Sequence, residues 1–222
     1  MIGLRIVIVS KNRPEPLRKT LDSMSRNGLE DQVLVLDGSQ SAKTQDCCDE
    51  LGVEHRFQES SGMTAARNEA LDHVESDHVA FVDDDVRVSN SWYEAVQEAF
   101  DNEDVVGVTG KLENEDLELG NLSAYVRKVT FGAKKNFGEI LPSGIVNGDF
   151  FYDEGKEVDH MPGCNMAFDV EALRRQGGFD EEFDVGSSYG EDTAASLRVA
   201  REGKIVYEPE ASLKHLKVGE NR

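Results

Sequence analysis

Cysteine is scarce in this sequence. Only three occur in 222 residues, and two of them, Cys47 and Cys48, are adjacent. Adjacent cysteines rarely bridge each other, and the third, Cys164, has no C-x-x-C partner of the kind that binds zinc. The pattern excludes a disulfide framework and is typical of a reducing, intracellular compartment. We therefore expect a cytoplasmic protein.

Long apolar runs are missing as well. No stretch approaches the ~20 consecutive apolar residues of a membrane-spanning helix, and the mean hydropathy is −0.50. The apolar N-terminus, MIGLRIVIVS, is short and has no small-residue cleavage site, so it predicts a strand rather than a signal peptide. Peripheral association with the inner face of the membrane stays open at this stage.

Positive charge is the third shortage. Lys and Arg number 24 against 44 Asp and Glu, which gives a net charge of −20. A surface of this sign repels phosphates, so the sequence argues against a nucleic-acid partner and disfavours direct adsorption to anionic lipid. The acids are spread through a chain that keeps its apolar periodicity, which excludes a disordered acidic tail. We expect either a solubilising surface or, in our preferred interpretation, adaptation to a high-salt cytoplasm.

Strand-like and helix-like patterns alternate over the first half of the chain. The predicted strands are 4–10, 32–38, 53–58, 78–85 and 104–110, and the predicted helices are 14–27, 41–52, 61–74 and 90–100. Short connections between them imply an α/β fold, with a mostly parallel sheet covered by helices on both faces. The alternation stops near residue 111. Later patterns predict helices at 169–176 and 191–203 and a strand at 204–209.

Polar clusters follow three of the predicted strands. They are Ser10-Lys11-Asn12, Asp37-Gly38-Ser39 and Asp83-Asp84-Asp85. Ligands of open α/β sheets bind at the carboxyl ends of the strands, so these clusters predict one shared site.

The aspartate triplet is the most distinctive of the three clusters. Hard divalent cations such as Mg²⁺ and Mn²⁺ prefer carboxylate oxygens, and they also bind substrate phosphates. Two alternatives remain at this point. A single Asp is a common turn or capping residue, and a strand followed by D-x-D is similar to the nucleophile loop of haloacid dehalogenase phosphatases. Those enzymes place that loop on their first strand, whereas here it follows the fourth predicted strand.

Seven segments taken in order make a larger pattern. They are IVIVSKNRPEPLRKTLDS, VLVLDGS, GMTAARNEAL, VAFVDDDV, PGCNMAFDVEALRRQGGFDEEF, GEDTAASLRVAREGKIVYEP and a late His215. This order and spacing closely resemble glycosyltransferase family 2, over about residues 4 to 215. The resemblance implies the GT-A (Rossmann-like) fold and an inverting, metal-dependent transfer of a sugar from a nucleoside diphosphate to an acceptor hydroxyl.

The resemblance also implies which residues bind the nucleotide sugar. Asp37 matches the acid that bonds the base, and Asp83 matches the first aspartate of the D-x-D motif, which touches ribose or sugar. Asp84 is the middle position, and we expect it to matter least. The other positions that match donor-binding residues of the family are Ser10, Asn12, Arg13, Arg67, Asn68, Gly163 and Asn165. Four of these residues also have a structural explanation: Ser10, Asn12 and Asp37 as turn residues, and Arg67 as a solvated helix charge. Glycine at 163 allows close backbone approach.

Metal and catalytic roles follow from the same resemblance. Asp85, with Asp83 and His215, matches the ligands of Mn²⁺ or Mg²⁺. Asp192, next to Glu191 in the G-E-D segment, matches the general base that deprotonates the acceptor. Acids at this position would also suit a helix N-terminus, and a surface histidine would explain His215 equally well.

Three further expectations complete the sequence interpretation. Cys164 should be a small packing residue, because an inverting mechanism needs no nucleophile, and Trp92 should lie in the core. The economical division is one domain, 1–222, with a nucleotide-binding half at 1–110 and an acceptor and catalytic half at 111–222. The expected partners are a UDP- or GDP-sugar and a glycan or lipid-linked acceptor. A phosphatase and a catalytically silent sugar-nucleotide-binding module remain the alternatives.

Overall fold

The structure, a computed structural model, describes residues 3–113, 136–142, 144, 146–148, 150–184 and 190–216. Much of the irregular stretch 111–157, where we expected acceptor recognition, therefore lies outside the described residues. Nine strands are present in the part of the chain that is described. They are β1 (Leu4–Ser10), β2 (Val33–Asp37), β3 (Glu54–Phe57), β4 (His78–Val82), β5 (Val86–Val88), β6 (Val105–Glu113), β7 (Lys156–Glu157), β8 (Asn165–Asp169) and β9 (Lys204–His215).

The helices begin and end close to the predicted positions. They are α1 (Pro14–Arg26), α2 (Lys43–Leu51), α3 (Met63–Leu71), α4 (Trp92–Ala99), α5 (Val170–Arg175) and α6 (Glu191–Val199). Pro14 starts α1, where a missing N–H costs nothing, and Gly52 ends α2 in the left-handed conformation with φ 68°. Within the described residues, no helix is long and apolar enough to cross a membrane.

The strands form one sheet in the order β3-β2-β1-β4-β8-β6-β9-β5, and β7 pairs with β9. β1 to β4, β6 and β9 share one direction, while β5, β7 and β8 run against them. The prediction of a mostly parallel α/β sheet is therefore confirmed. The antiparallel β8, from the second half of the chain, lies between β4 and β6.

Helices cover both faces of the sheet and bury two apolar clusters. One face packs α1, α2 and α4 against inward side chains of β1 and β2, and it contains Trp92, which is fully buried as predicted. The other face packs α3, α5 and α6, with Phe81, Phe168 and Phe179 in edge-to-face contact at its centre.

The last strand differs from the prediction in length. Residues 204–209 were expected, but β9 runs for twelve residues and ends at His215. Its second half pairs with β5, the short strand that follows the aspartate triplet, and His215 lies opposite Val86 in that register. The longer strand matters because it carries His215 to the triplet.

Candidate active site

The carboxyl ends of β1, β2 and β4 meet at one edge of the sheet. Ser10 and Asp37, the last residues of β1 and β2, are direct neighbours in the register. The triplet follows β4, the next strand along, and is held there because Val86 N–H donates to Thr20 Oγ1 in α1. The three polar clusters found in the sequence are thus brought together.

Asp84 is the best-anchored aspartate of the triplet. Ser10 Oγ donates to Asp84 Oδ2 at 2.7 Å, and the Arg13 guanidinium contacts the other oxygen. The residue is 3% exposed. Burial raises the pKa of Asp84 to about 6, although Ser10 and Arg13 oppose the rise. The expectation that Asp84 matters least for ligand binding stays a prediction, but its side chain has a structural part, because it joins the end of β1, the start of α1 and the triplet.

Asp85 has one oxygen paired and one unpaired. Arg13 Nη2 donates to Asp85 Oδ2 at 2.6 Å, whereas Asp85 Oδ1 is buried and has no hydrogen-bond partner among the described residues. His215 Nδ1 lies 3.4 Å from that oxygen. The imidazole is within ion-pair distance, so it is the nearest partner of this oxygen when no ligand is bound.

His215 stands between two aspartates. Its Nε2 atom lies 3.5 Å from Asp83 Oδ2, on the side away from Asp85. Contact with Asp83, assisted by the charge of Asp85, raises the pKa of the His215 imidazole despite its burial. The carboxylates, the imidazole and the unpaired oxygen of Asp85 are donors that suit a divalent cation, and Mn²⁺ accepts such a mixed set.

A pocket of about 550 Å³ opens beside the triplet. Asp83 and His215 line it from the triplet and β9, and Asp192 lines it from the first turn of α6. The other lining residues are Met63, Arg67, Val146, Gly148, His160, Pro162, Gly163, Cys164, Gly190, Glu191 and Thr193. The pocket therefore combines the candidate metal ligands with the candidate base.

Gly163 holds the base in place. Its N–H donates to Asp192 Oδ2 at 2.9 Å, and Thr193 N–H donates to the other oxygen at 2.6 Å. A Cβ at Gly163 would lie 3.3 Å from Arg67 Nη2 and 3.5 Å from Asp192 Oδ2, so a larger residue would crowd both side chains. Glycine permits this close approach.

Arg67 and Glu191 form a buried ion pair beside the base. Arg67 Nη1 donates to Glu191 Oε1 at 2.9 Å, and both residues are about 5% exposed or less. The Arg67 guanidinium also lies 5.4 Å from the centre of the Phe179 ring. Glu191 is thus occupied in joining α6 to α3, which leaves Asp192 as the freer carboxylate of the G-E-D segment.

Several expected donor-binding side chains have other partners. Asn165 lies in the core: it accepts from Trp92 Nε1 and donates to Ala211 O, both at 3.0 Å. Asn68 exchanges hydrogen bonds with the backbone of Phe179. The placement of Asn165 and Asn68 therefore differs from the contact with the donor that we expected.

Asp37 and Asn12, which were also expected to bind the donor, make contacts within the protein. Asp37 is 1% exposed, and it accepts from Ser39 N–H at 2.8 Å and lies 3.1 Å from His55 Nε2. Asn12 adopts a left-handed φ of 58°, and its backbone N–H donates to Ser39 Oγ at 2.7 Å. The contacts of Asp37 and Asn12 join the loops after β1 and β2 into one rigid edge.

Two residues lie in the pocket wall that the sequence interpretation did not place in the site. Cys164 comes close to Asp83 and His215, and His160 lies buried in the wall beside them. Burial lowers the pKa of His160, so its imidazole is neutral at pH 7. Both residues come shortly before β8 in the sequence. Because β8 pairs with β4, this segment lies close to the triplet that follows β4.

Known proteins resemble this chain over most of its length. The sequence model of the family described as "Glycosyl transferase family 2" matches residues 5–175. A protein named glycosyltransferase GlyA, from Streptococcus pneumoniae serotype 4, is 30% identical over 99 residues, which are 42% of this chain and 14% of that protein.

Solved structures share the fold at low identity. GalNAc-T7, determined with UDP, GalNAc and Mn²⁺, has a TM-score of 0.71 at 16% identity and is matched over 99% of this chain and 45% of that one. The mannosyltransferase PcManGT from Pyrobaculum calidifontis, with GDP-Man and Mn²⁺, has a TM-score of 0.65 at 16% identity, with 98% and 58% covered.

A third structure with this fold is TarS from S. aureus with UDP-GlcNAc, at a TM-score of 0.68 and 14% identity, with 99% and 60% covered. The chain spans less than two thirds of each of these relatives. The prediction of a GT-A fold is confirmed, and the chain belongs to glycosyltransferase family 2.

Proposed function

We propose that this protein is an inverting glycosyltransferase that moves a sugar from a nucleoside diphosphate sugar to an acceptor hydroxyl. One observation carries the proposal: Asp83 and His215 line the same pocket as Asp192, although the three come from different elements. Inverting transfer needs charge stabilisation at the leaving diphosphate and a base near the acceptor. The pocket supplies residues suited to both tasks.

Asp83, Asp85 and His215 are the residues that would hold a divalent metal ion. When bound, Mn²⁺ or Mg²⁺ neutralises charge on the diphosphate. Arg13 lies at the same edge and is about one third exposed while it pairs with Asp84 and Asp85. Its guanidinium is therefore placed to bind a phosphate oxygen once the metal neutralises the aspartates.

Asp192 would act as the general base. Each of its carboxylate oxygens accepts one backbone N–H, which fixes the direction of the side chain. Asp192 Oδ1 also accepts from the Thr193 hydroxyl at 3.3 Å. A carboxylate oxygen has two lone pairs, so Oδ2 keeps one for the proton of the acceptor hydroxyl. Glu191 and Arg67 would support the base by fixing the first turn of α6.

This arrangement indicates the chemical class of the donor and of the acceptor. We propose a UDP- or GDP-sugar donor, bound mainly by the half of the chain at 1–110, and a glycan or lipid-linked acceptor that meets the half at 111–222. GalNAc-T7 and PcManGT were solved with UDP and GDP-Man respectively, which supports this donor class. A cytoplasmic location, including the inner face of a membrane, remains a prediction. No finding supports a phosphatase or a silent binding module.

Donor binding can be tested by calorimetry. UDP and GDP are titrated into the protein with Mn²⁺ and again with EDTA. We expect one of them to bind with Mn²⁺ and to bind much more weakly without it. Failure of both nucleotides to bind in either condition would overturn the proposal.

The base can be tested with Asp192→Asn. We expect donor binding to persist and the transfer rate to fall by about 10²–10⁴-fold, because a positioned general base contributes on that order. Transfer is measured as release of the nucleoside diphosphate with a panel of acceptor glycans. Asp101→Asn, at an exposed position after α4, is the matched control. Normal transfer by Asp192→Asn would assign the base elsewhere.

A further inference from the structure

Cys164 lies within reach of two candidate metal ligands. A carboxylate oxygen of Asp83, the sulfur of Cys164 and a ring nitrogen of His215 lie within 4.8 Å of one another. Cys164 immediately precedes β8, so the strand fixes its backbone opposite the triplet. All three residues line the pocket described above.

A second observation concerns the orientation of His215, whose ring nitrogen on the side away from Asp83 faces Asp85. The buried Asp85 Oδ1 has no hydrogen-bond partner among the described residues, and it faces His215 Nδ1 at 3.4 Å. His215 Nε2 and Asp83 Oδ2 are 3.5 Å apart. Two ligands of a tetrahedral zinc ion lie about 3.3–3.6 Å apart, given bond lengths of about 2.0–2.3 Å. The cysteine sulfur lies within 4.8 Å of the other two ligand atoms, so it would move closer by at most about 1.5 Å on binding.

We propose that Cys164 is a thiolate ligand, and that Asp83, Cys164 and His215 form a site that selects thiophilic divalent ions such as Zn²⁺ and Co²⁺ over Mg²⁺. Sulfur and imidazole nitrogen favour these ions, whereas Mg²⁺ requires oxygen ligands. The inference rests on the proposed metal site of the transferase and names the class of ion that the site prefers. Mn²⁺, weaker than Co²⁺ and Zn²⁺ for such donors, would compete with them for Asp83 and His215.

Binding replaces a proton by the metal ion. A free thiol has a pKa of about 8.5, so at pH 7 the sulfur carries its proton when no metal is present. On binding, the S–H bond breaks, the sulfur keeps the electron pair and donates it to the ion, and the proton leaves to solvent. No oxidant or reductant takes part, and one proton should be released for each thiolate bond formed.

Cobalt absorption tests the sulfur ligand directly. Co²⁺ is titrated into the metal-free protein, and we expect visible d–d bands together with a near-ultraviolet sulfur-to-cobalt charge-transfer band. Cys164→Ser should lose the charge-transfer band and at least about tenfold in Co²⁺ affinity, since even residues that only support a ligand are worth that much. Cys47→Ala is the control, because Cys47 is buried in α2 away from the pocket and the band should persist.

The outcomes separate the inference from the function on which it rests. One outcome is that the unmodified protein gives visible d–d bands, lost in Asp83→Asn, but no charge-transfer band. That result would show that Cys164 is not a thiolate ligand, while the divalent-metal site would stand. A charge-transfer band that survives in both Cys164→Ser and Cys164→Ala would also overturn it. Failure to bind Co²⁺ at all, together with failure to bind UDP or GDP with Mn²⁺, would overturn both proposals.

Discussion

The three aspartates of the triplet have different surroundings, although they are adjacent in sequence. Asp83 lines the pocket, Asp84 is anchored by Ser10 and Arg13, and Asp85 keeps one oxygen unpaired. The mutual repulsion of the carboxylates is therefore offset before any metal binds, chiefly by Arg13. A strand end followed by a tight turn points consecutive side chains in different directions, which allows this division of roles.

Asp84 should make the stability of the metal-free protein depend on pH. Its folded-state pKa of about 6 lies above the ordinary value of about 3.9. The folded state therefore holds the proton more tightly, and the stability that Asp84 contributes is present below about pH 4 and lost as the pH rises through about 6. Over this pH range the free energy of unfolding should fall by about 1–3 kcal/mol.

Asp84→Asn should remove that dependence. We expect urea unfolding in EDTA to show that wild-type protein loses stability relative to the variant between about pH 4 and about pH 7. Asp101→Asn controls for the loss of one exposed charge. A constant difference between wild type and Asp84→Asn over this range would contradict the prediction.

At the scale of elements, α3 is capped by a residue far away in the sequence. Gly62 precedes the helix with φ 114° and offers no side chain. Thr64 N–H and Ala65 N–H donate instead to the Asp184 carboxylate at 2.8 and 2.9 Å. Because α3 carries Arg67, this cap helps to position the ion pair beside Asp192.

Removing that cap should destabilise the fold and shift its acid sensitivity. Although partial burial opposes it, hydrogen bonding from Thr64 and Ala65 lowers the pKa of Asp184. Its stabilisation is therefore present above about pH 4 and lost as the pH falls through the lowered folded-state pKa. Asp184→Ala should cost about 0.5–2 kcal/mol at pH 7, as for other helix caps.

The measurement is urea unfolding of Asp184→Ala at pH 7 and at low pH. The loss should shrink as the pH falls. Asp180→Ala, in the same segment, is the control, because the Asp180 carboxylate lies 3.7 Å from Arg198 and does not cap α3. Equal stability of Asp184→Ala and wild type at pH 7 would show that the cap contributes nothing.

Charge dominates the molecule as a whole. A net charge of −20 on 222 residues implies strong self-repulsion at low ionic strength. Screening shortens the Debye length from ~8 Å at 0.15 M salt to ~3 Å at 1 M. Adaptation to high salt is therefore still our prediction for this chain.

We expect the melting temperature to rise steadily from low salt to molar KCl, because repulsion among surface acids is progressively screened. Thermal unfolding followed by circular dichroism measures this. Glu94→Gln, Glu98→Gln and Asp101→Asn together remove three exposed negative charges along and just after α4 and should reduce the gain in melting temperature. Full stability without salt would count against the high-salt interpretation.

The sequence by itself determined the α/β class, most element positions and the family, because apolar periodicity and strand-end polar residues are local features. It also predicted that Trp92 lies in the core and that Ser10, Asp37 and the triplet meet at one edge of the sheet. Only the tertiary structure decided where individual side chains point. Asn165 and Cys164 are adjacent, yet Asn165, the first residue of β8, is buried in the core, while Cys164, in the turn before the strand, lines the pocket.

The length of β9 was likewise decided by tertiary contacts. Residues 204–209 show a strand pattern, whereas the extension to His215 exists because β5 and β6 offer paired edges to it. The partners of Asp84 and Asp184 come from segments 74 and about 120 residues away along the chain. Such long-range pairings depend on which surfaces meet when the sheet assembles, and no local pattern encodes them.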